Sequence, residues 1–242
     1  MIRVGRIKNC NGKTSYPGYK RVIVMTKSSK YGSLSPYLLT DGKGRIMENL
    51  WQFSKVYKET PKTKQYYSQW DKTVVWERPK EIHVDTHGDL TQDYITWRKD
   101  GMEHVHAVRY PVGKKHTSKC LYALSDKDMT KKLDYITARK SLYLPLYSEM
   151  VRSQPQYAEL LCDLKANRNI IILEVDGPHE ENLLYYQNKY KVKDTFIEQW
   201  SMEADPQSLE IMLNDSKHNF GHGYCLAWCL WEDLHNTKIP YM

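Results

Sequence analysis

Ile170-Ile171-Ile172-Leu173-Glu174-Val175 is the stretch on which the reading of the fold turns. A run of consecutive β-branched and aliphatic residues stopped by Asp176-Gly177-Pro178 reads as a strand ending in a turn. Working outward, helical patterns flank it at 156–166 and 180–190, and further helices are expected at 127–142, 145–153, 206–213 and 223–234. Pro145 and Pro155 suit first helical turns. Upstream, residues 2–8 and 20–26 read as strands, with Val22-Ile23-Val24 as a short buried run. Residues 28–44 read as a loop, and residues 60–72 as irregular. Strand-like segments recur at 73–77, 81–86, 93–98 and 103–110, separated by Pro79, Gly88 and Gly101. The expectation is an α+β fold in a single domain, 1–242, with a β-rich first half and a helical second half. There is no internal repeat, low-complexity segment or linker.

Composition narrows the class. Among 242 residues, hydrophobic types make up 40% and aromatics 12%. Mean hydropathy is −0.70, and no apolar run approaches the ~18 residues that span a bilayer. A membrane span and a disordered chain are both excluded on this basis. The aromatics are uneven, with 19 Tyr and 7 Trp against 3 Phe, so the rings are mostly amphipathic. Net charge is +7, which permits a polyanionic partner without demanding one. Cysteines stand at 10, 120, 162, 225 and 229. The start Met1-Ile2-Arg3-Val4-Gly5-Arg6 is not a signal peptide, so reduced thiols and a cytoplasmic location are expected.

The chemistry concentrates in Glu48-Asn49-Leu50-Trp51-Gln52-Phe53-Ser54-Lys55-Val56-Tyr57, after the turn Asp41-Gly42-Lys43-Gly44. The spacing predicts a helix over 47–59. At ~100° per residue, Glu48, Gln52 and Lys55 fall within ~60° of one another, and Leu50, Phe53 and Tyr57 share the opposite face. An ordinary amphipathic helix with its polar face in water has the same pattern. A carboxylate and an amine ~10 Å apart along the axis could also bracket a sugar, as acid/base and nucleophile or charge stabiliser.

Glu48-x-x-x-Gln52-x-x-Lys55, preceded by Ser35-Pro36-Tyr37 and a glycine-bearing turn, resembles the NADAR (YbiA-like) N-glycosidase family. Trp51 and Val56 match its apolar positions, and Asn49 departs from its usual His. Tyr157-Ala158-Glu159-Leu160-Leu161 followed by Ile172-Leu173-Glu174 is similar to the family's helix and strand. Asn214-Asp215 and Phe220-Gly221-His222-Gly223-Tyr224-Cys225-Leu226 resemble its ending, with Phe220-Gly221 in place of Trp-Gly. The resemblance covers about half the chain, and 60–125 reads as an insertion. It implies a NADAR-like fold and cleavage of an N-glycosidic bond through an oxocarbenium-like transition state. In that scheme Glu48 is the key carboxylate and Asp215 a second acid. Lys55 is a Schiff-base nucleophile or a sugar- or phosphate-holding cation, and Gln52 and Tyr37 contact substrate. Trp51, Phe220 and Tyr224 stack on a base, and Gly221 allows close backbone approach to a ligand, as does Gly223. Asp215 as a helix cap and the glycines as a plain turn are the structural alternatives.

Other patterns compete. His218-x₃-His222-x₂-Cys225-x₃-Cys229 holds zinc-type ligands, though buried thiols on a core helix explain the cysteines more simply. Glu81, His83, Asp85 and His87 alternate, so a strand would place all four on one face. No P-loop, dinucleotide fingerprint or Gly-x-Ser-x-Gly is present, and no cofactor or metal is expected. Basic clusters lie at Lys58–Lys64, Arg98-Lys99, Lys114-Lys115-His116 and Arg139-Lys140, with Tyr66, Tyr67, Trp70, Trp76 and Trp97 interleaved. Such mixing suits single-strand or flipped-base contact, and equally solvated charges over a Tyr-rich core. Lys62, Lys64, Lys114 and Lys115 are the candidate DNA contacts.

The reading is a hydrolase, a DNA-glycosylase-like N-glycosidase acting on a modified base. A setting of defence against phage, with modified phage DNA as partner, would account for an enlarged pocket. The alternatives are removal of ADP-ribose from guanine, hydrolysis of a small nucleotide N-glycoside, and a non-catalytic nucleic-acid-binding module.

Overall fold

The structure, a computed structural model, describes residues 1–7, 16–28, 30–66 and 75–240. The strands are β1 (Ile2–Arg6), β2 (Tyr19–Ile23), β3 (Lys55–Tyr57), β4 (Glu59–Thr60), β5 (Thr63–Tyr66), β6 (Val75–Arg78), β7 (Glu81–Ile82), β8 (Cys120–Ala123), β9 (Asn169–Glu174) and β10 (Ser201–Glu203). The α-helices are α1 (Met47–Gln52), α2 (Gln92–Met102), α3 (Tyr135–Ala138), α4 (Leu144–Val151), α5 (Pro155–Lys165), α6 (Leu183–Tyr190), α7 (Pro206–Asn214) and α8 (His222–His235). Helices and strands are mixed, as expected. Two compact units form: residues 1–35 with 147–242, and residues 36–146. The stretch 60–125 lies wholly in the second. Among the described residues no helix is long and apolar enough to cross a membrane.

The first unit is built on a sheet of order β10-β1-β9-β2. β9 runs parallel to β1 and β2, with Ile172 opposite both Val4 and Val22. β9 lies between two neighbouring strands with α5 and α8 packed against it, and Ile170 to Leu173 are all fully buried without alternation, the pattern of a strand covered on both faces. Glu174 shares that burial at the strand's end. α7 starts as capping chemistry dictates: the Asp205 side chain accepts from Ser208 N at 2.8 Å and Pro206 occupies the first turn. α8 ends at Asn236 in the left-handed conformation, φ 50°. The anticipated helix 180–190 begins later, at Leu183, after a 3₁₀ turn. β1 and β2 are shorter than expected, and β10 was not anticipated. Cys10 lies outside the described residues, while Cys120, Cys162, Cys225 and Cys229 are joined in no disulfide.

The second unit corrects several expectations. Residues 93–98 are not a strand but part of α2, which buries Tyr94, Trp97, Arg98, Gly101 and Met102. Those offsets are helical, and Thr91 caps the helix by accepting from Tyr94 N. The β-branched and aromatic content suggested a strand, but packing of one face outweighs intrinsic preference. Phe53 and Trp97 rings lie 4.6 Å apart. A Cβ at Gly101 would come within 2.1 Å of the Phe53 ring, so only glycine lets the helix approach. Residues 103–110 likewise form no strand. The helix anticipated at 127–142 is reduced to α3, which continues into a π-helical turn over Arg139–Tyr143. The remaining strands pair as short antiparallel ladders, β3 with β8, β4 with β7 and β5 with β6. β5 and β8 fall where none was expected. Tyr67, Trp70 and residues 73–74 lie outside the described residues.

Candidate active site

The Asp41 carboxylate builds the turn ahead of α1, accepting from Lys43 N and Arg45 N at 2.9 Å each. Glu48 N donates to Pro36 O at 2.9 Å, which ties the Pro36-Tyr37 segment to the first helical turn. The helix expected over 47–59 ends at Gln52. Ser54 Oγ donates to Trp51 O at 2.7 Å, and the chain turns into β3, where Lys55 pairs with Ala123. The β-branched and aromatic pair Val56-Tyr57 suits that strand, and β8 supplies the ladder. Leu50, Phe53 and Tyr57 are buried, as expected, although Tyr57 reaches the core from a strand.

Glu48, Gln52 and Lys55 nevertheless meet. Lys55 Nζ donates to Gln52 Oε1 at 2.8 Å, and Gln52 Nε2 donates to Glu48 Oε1 at 2.8 Å. The expected alternative of a solvated polar face is corrected: Glu48 and Gln52 are each only 6% exposed. The Lys55 amine lies 4.8 Å from the Trp51 ring centre, and Trp51 packs on Tyr143 at 5.0 Å. Burial pushes the Lys55 pKa down, and the attractions of Glu48 and Cys120 oppose this only in part. Arg109 feels Tyr37 first, then Tyr110 and Glu48; together they outweigh burial and raise its pKa. Sequence reasoning missed Arg109 and Tyr143. For Arg109 a signal existed: residues 104–125 contain no Asp or Glu.

Asn49 has a structural task. Its Nδ2 donates to the carbonyls of His104 and His106 at 3.0 Å each, and its Oδ1 accepts from Val108 N at 2.7 Å. This side chain substitutes for a strand partner along the segment that was expected to be extended.

Asp215, Phe220, Gly221 and Tyr224 belong to the other unit. Asp215 is fully buried and accepts from Tyr185 (2.6 Å), Tyr186 (2.9 Å), Lys217 N (3.1 Å) and His218 Nδ1 (2.5 Å). Burial alone would raise its pKa, but these bonds hold it below the ordinary carboxylate range. It is therefore a fixed anion and a poor proton donor. Phe220 and Tyr224 are buried and stack on one another, centroids 5.4 Å apart. A Cβ on Gly221 would come within 2.3 Å of the Glu174 carboxylate, and one on Gly223 within 2.7 Å. The close approach expected at these glycines is to a ligand; the group that fills the space is instead the Glu174 side chain. Burial, with Asp176 adding, pushes Glu174 up to about 8, against the opposing backbone N–H groups of Gly223 and Tyr224. His222 Nδ1 stands 3.4 Å from Glu174 Oε2.

The competing clusters separate. β7 is only two residues long, so 81–87 is not one strand face. Glu81 pairs with Arg78, and His83 is buried against Trp97. Asp85 instead caps its own turn, accepting from His87 N and Asp89 N. His218 and His222 face Asp215 and Glu174, while Cys225 and Cys229 are buried along α8. Among the described residues no three His, Cys, Asp or Glu side chains group to hold a metal ion. Lys62, Lys114 and Lys115 are exposed, the last two on a 3₁₀ turn, and Lys64 pairs with Glu77 at 3.0 Å.

Comparison with family models, characterised proteins and solved structures finds no match to this chain.

Proposed function

We propose that the chain is an N-glycosidase of NADAR type that releases a nucleobase, a modified one, from DNA, with Glu48 and Lys55 as the reacting groups. The observation that carries this reading is the hydrogen-bond chain Lys55–Gln52–Glu48, half-buried at the amine and buried at the carboxylate, in which the amine's pKa is depressed. A solvated surface helix has no need of such a chain. A lysine made less basic by burial is the amine form a nucleophile requires.

The neutral Lys55 amine attacks the anomeric carbon. The N-glycosidic bond breaks and its electron pair moves to the base. The proton lost by the amine balances the proton gained by the base. The sugar ring then opens to an iminium, which water hydrolyses to free the lysine. Glu48 stabilises the positive charge that develops on the sugar. Gln52, bonded to both partners, fixes their directions. Asp215 orients His218 and the two tyrosines as an anion and does not act as the acid.

Charge favours a polymer over a free nucleotide. Residues 36–146 contain 20 of the 36 Lys and Arg but 14 of the 29 Asp and Glu, so six of the seven net positive charges reside there. The test is mass spectrometry of what the purified protein releases from plain, glycosylated phage and ADP-ribosylated DNA. A free base is expected from wild type, and at least roughly 10²-fold less of it from Glu48→Gln. Release from free nucleotides alone overturns the DNA substrate. Release unaffected by Glu48→Gln overturns the site, and salt-dependent DNA binding with no release favours the binding module.

A further inference from the structure

We infer that Val105 is an intercalating wedge: the loop His104–His106 inserts this side chain into the base stack of duplex DNA. The inference rests on the DNA reading above. Val105 is 80% exposed, more than any other large hydrophobic side chain among the described residues. A lone exposed valine is ordinary. This one is held out by a rigid support. Asn49 pins the carbonyls on both sides of it, at 3.0 Å each. His104 Nδ1 closes on the His106 carbonyl at 2.9 Å, and the His104 ring meets Trp76 edge-on at 5.8 Å. The backbone before and after Val105 is therefore fixed, and the side chain between points away from the protein.

Two further observations name the occupant. Asn49 is the residue next to Glu48 on α1, so the loop is anchored on the helix that bears the proposed carboxylate. Residues 104–125 contain no Asp or Glu but hold Arg109, Lys114, Lys115 and Lys119. An apolar tip on an acid-free, cationic segment matches a polyanion with an apolar interior. Proteins that kink duplexes insert such side chains between base steps, and enzymes that act on a base must first take it out of the stack. A protein partner would supply the apolar contact but has no general demand for the cations.

The experiment uses the full chain carrying Glu48→Gln, so that no chemistry intervenes, and a short duplex with 2-aminopurine at its centre. Binding with Val105 present is expected to raise the fluorescence as the probe unstacks. Val105→Ser is expected to lose most of that rise at equal occupancy, Val105→Leu to keep it, and Leu184→Ser, on the other unit, to leave it unchanged. The side chain is exposed, so none of these changes disturbs the core. In the otherwise wild-type protein, the ratio of base release from duplex to release from the same strand alone should fall at least roughly tenfold with Val105→Ser. An equal fluorescence rise with Val105→Ser, or DNA binding without any rise, overturns the wedge and leaves the glycosidase reading standing. No binding to any DNA overturns both.

Discussion

Gln52 donates its side-chain N–H to Glu48 Oε1 at 2.8 Å, with both side chains 6% exposed. The bond makes the candidate carboxylate part of the protein's interior. Truncating it leaves a buried amide without its acceptor. Glu48→Ala is therefore expected to cost about 1–3 kcal/mol of stability in addition to activity. Glu48→Gln keeps an acceptor for Gln52 and should remain folded with a nearly unchanged thermal midpoint. Its base release should fall by roughly 10²–10³-fold, the range for removing one charge-stabilising group. Thermal denaturation beside turnover separates the two effects.

Lys55 titrates below an ordinary lysine because burial disfavours its charged form. A nucleophilic amine must be neutral, so activity should rise with pH and level off below the usual lysine range. Borohydride should trap a protein–sugar adduct in the wild type, and none in Lys55→Ala. Reduced but surviving activity in Lys55→Ala, with no adduct in either protein, would reassign Lys55 to holding the sugar.

Glu174 gives stability a pH dependence of definite sign. Its folded pKa is raised from 4.5 to about 8, first by burial and then by Asp176. The folded state thus holds a proton that the unfolded state releases. Stability is full below about 4.5 and falls as pH rises toward about 8. Glu174→Gln, which cannot ionise, should flatten that descent. Thermal midpoints measured across this window check the sign; an unchanged slope would show that the carboxyl is ionised when folded.

His83 acts in the opposite direction. Both its ring nitrogens are buried without a hydrogen-bond partner, and burial lowers its pKa from 6.5 to about 4. The unfolded chain takes up the proton first, so stability should fall as pH drops from 6.5 toward about 4. His83→Phe, packed against Tyr94 and Trp97, should recover up to about 3 kcal/mol at the acid end. Acid unfolding of the two proteins decides it.

Lys114→Glu with Lys115→Glu should weaken binding to DNA and flatten its salt dependence by about one unit of slope for each phosphate no longer neutralised. Lys64→Gln should do less than Lys62→Gln, because Lys64 already pairs with Glu77. Filter binding across salt concentrations measures both.

Local patterns were enough to read some of this protein in advance. Ile170 to Leu173 announce a buried strand, the pattern at 206–213 a helix, and Glu48, Gln52 and Lys55 a grouped set of polar side chains. Each is written in residues close along the chain, whose preferences agree with the fold. What tertiary structure decided lies where distant groups compete with those preferences. Ser54 and the β8 ladder end α1 early, so Lys55 reaches Gln52 from a strand and not from a helical turn. Phe53 packing on Gly101 and Trp97 makes a helix of a strand-like stretch. Asn49 takes backbone groups that a strand partner would otherwise have satisfied. The pKa values of Lys55, Glu174 and His83 follow from burial, and burial is set by chain segments far away in sequence.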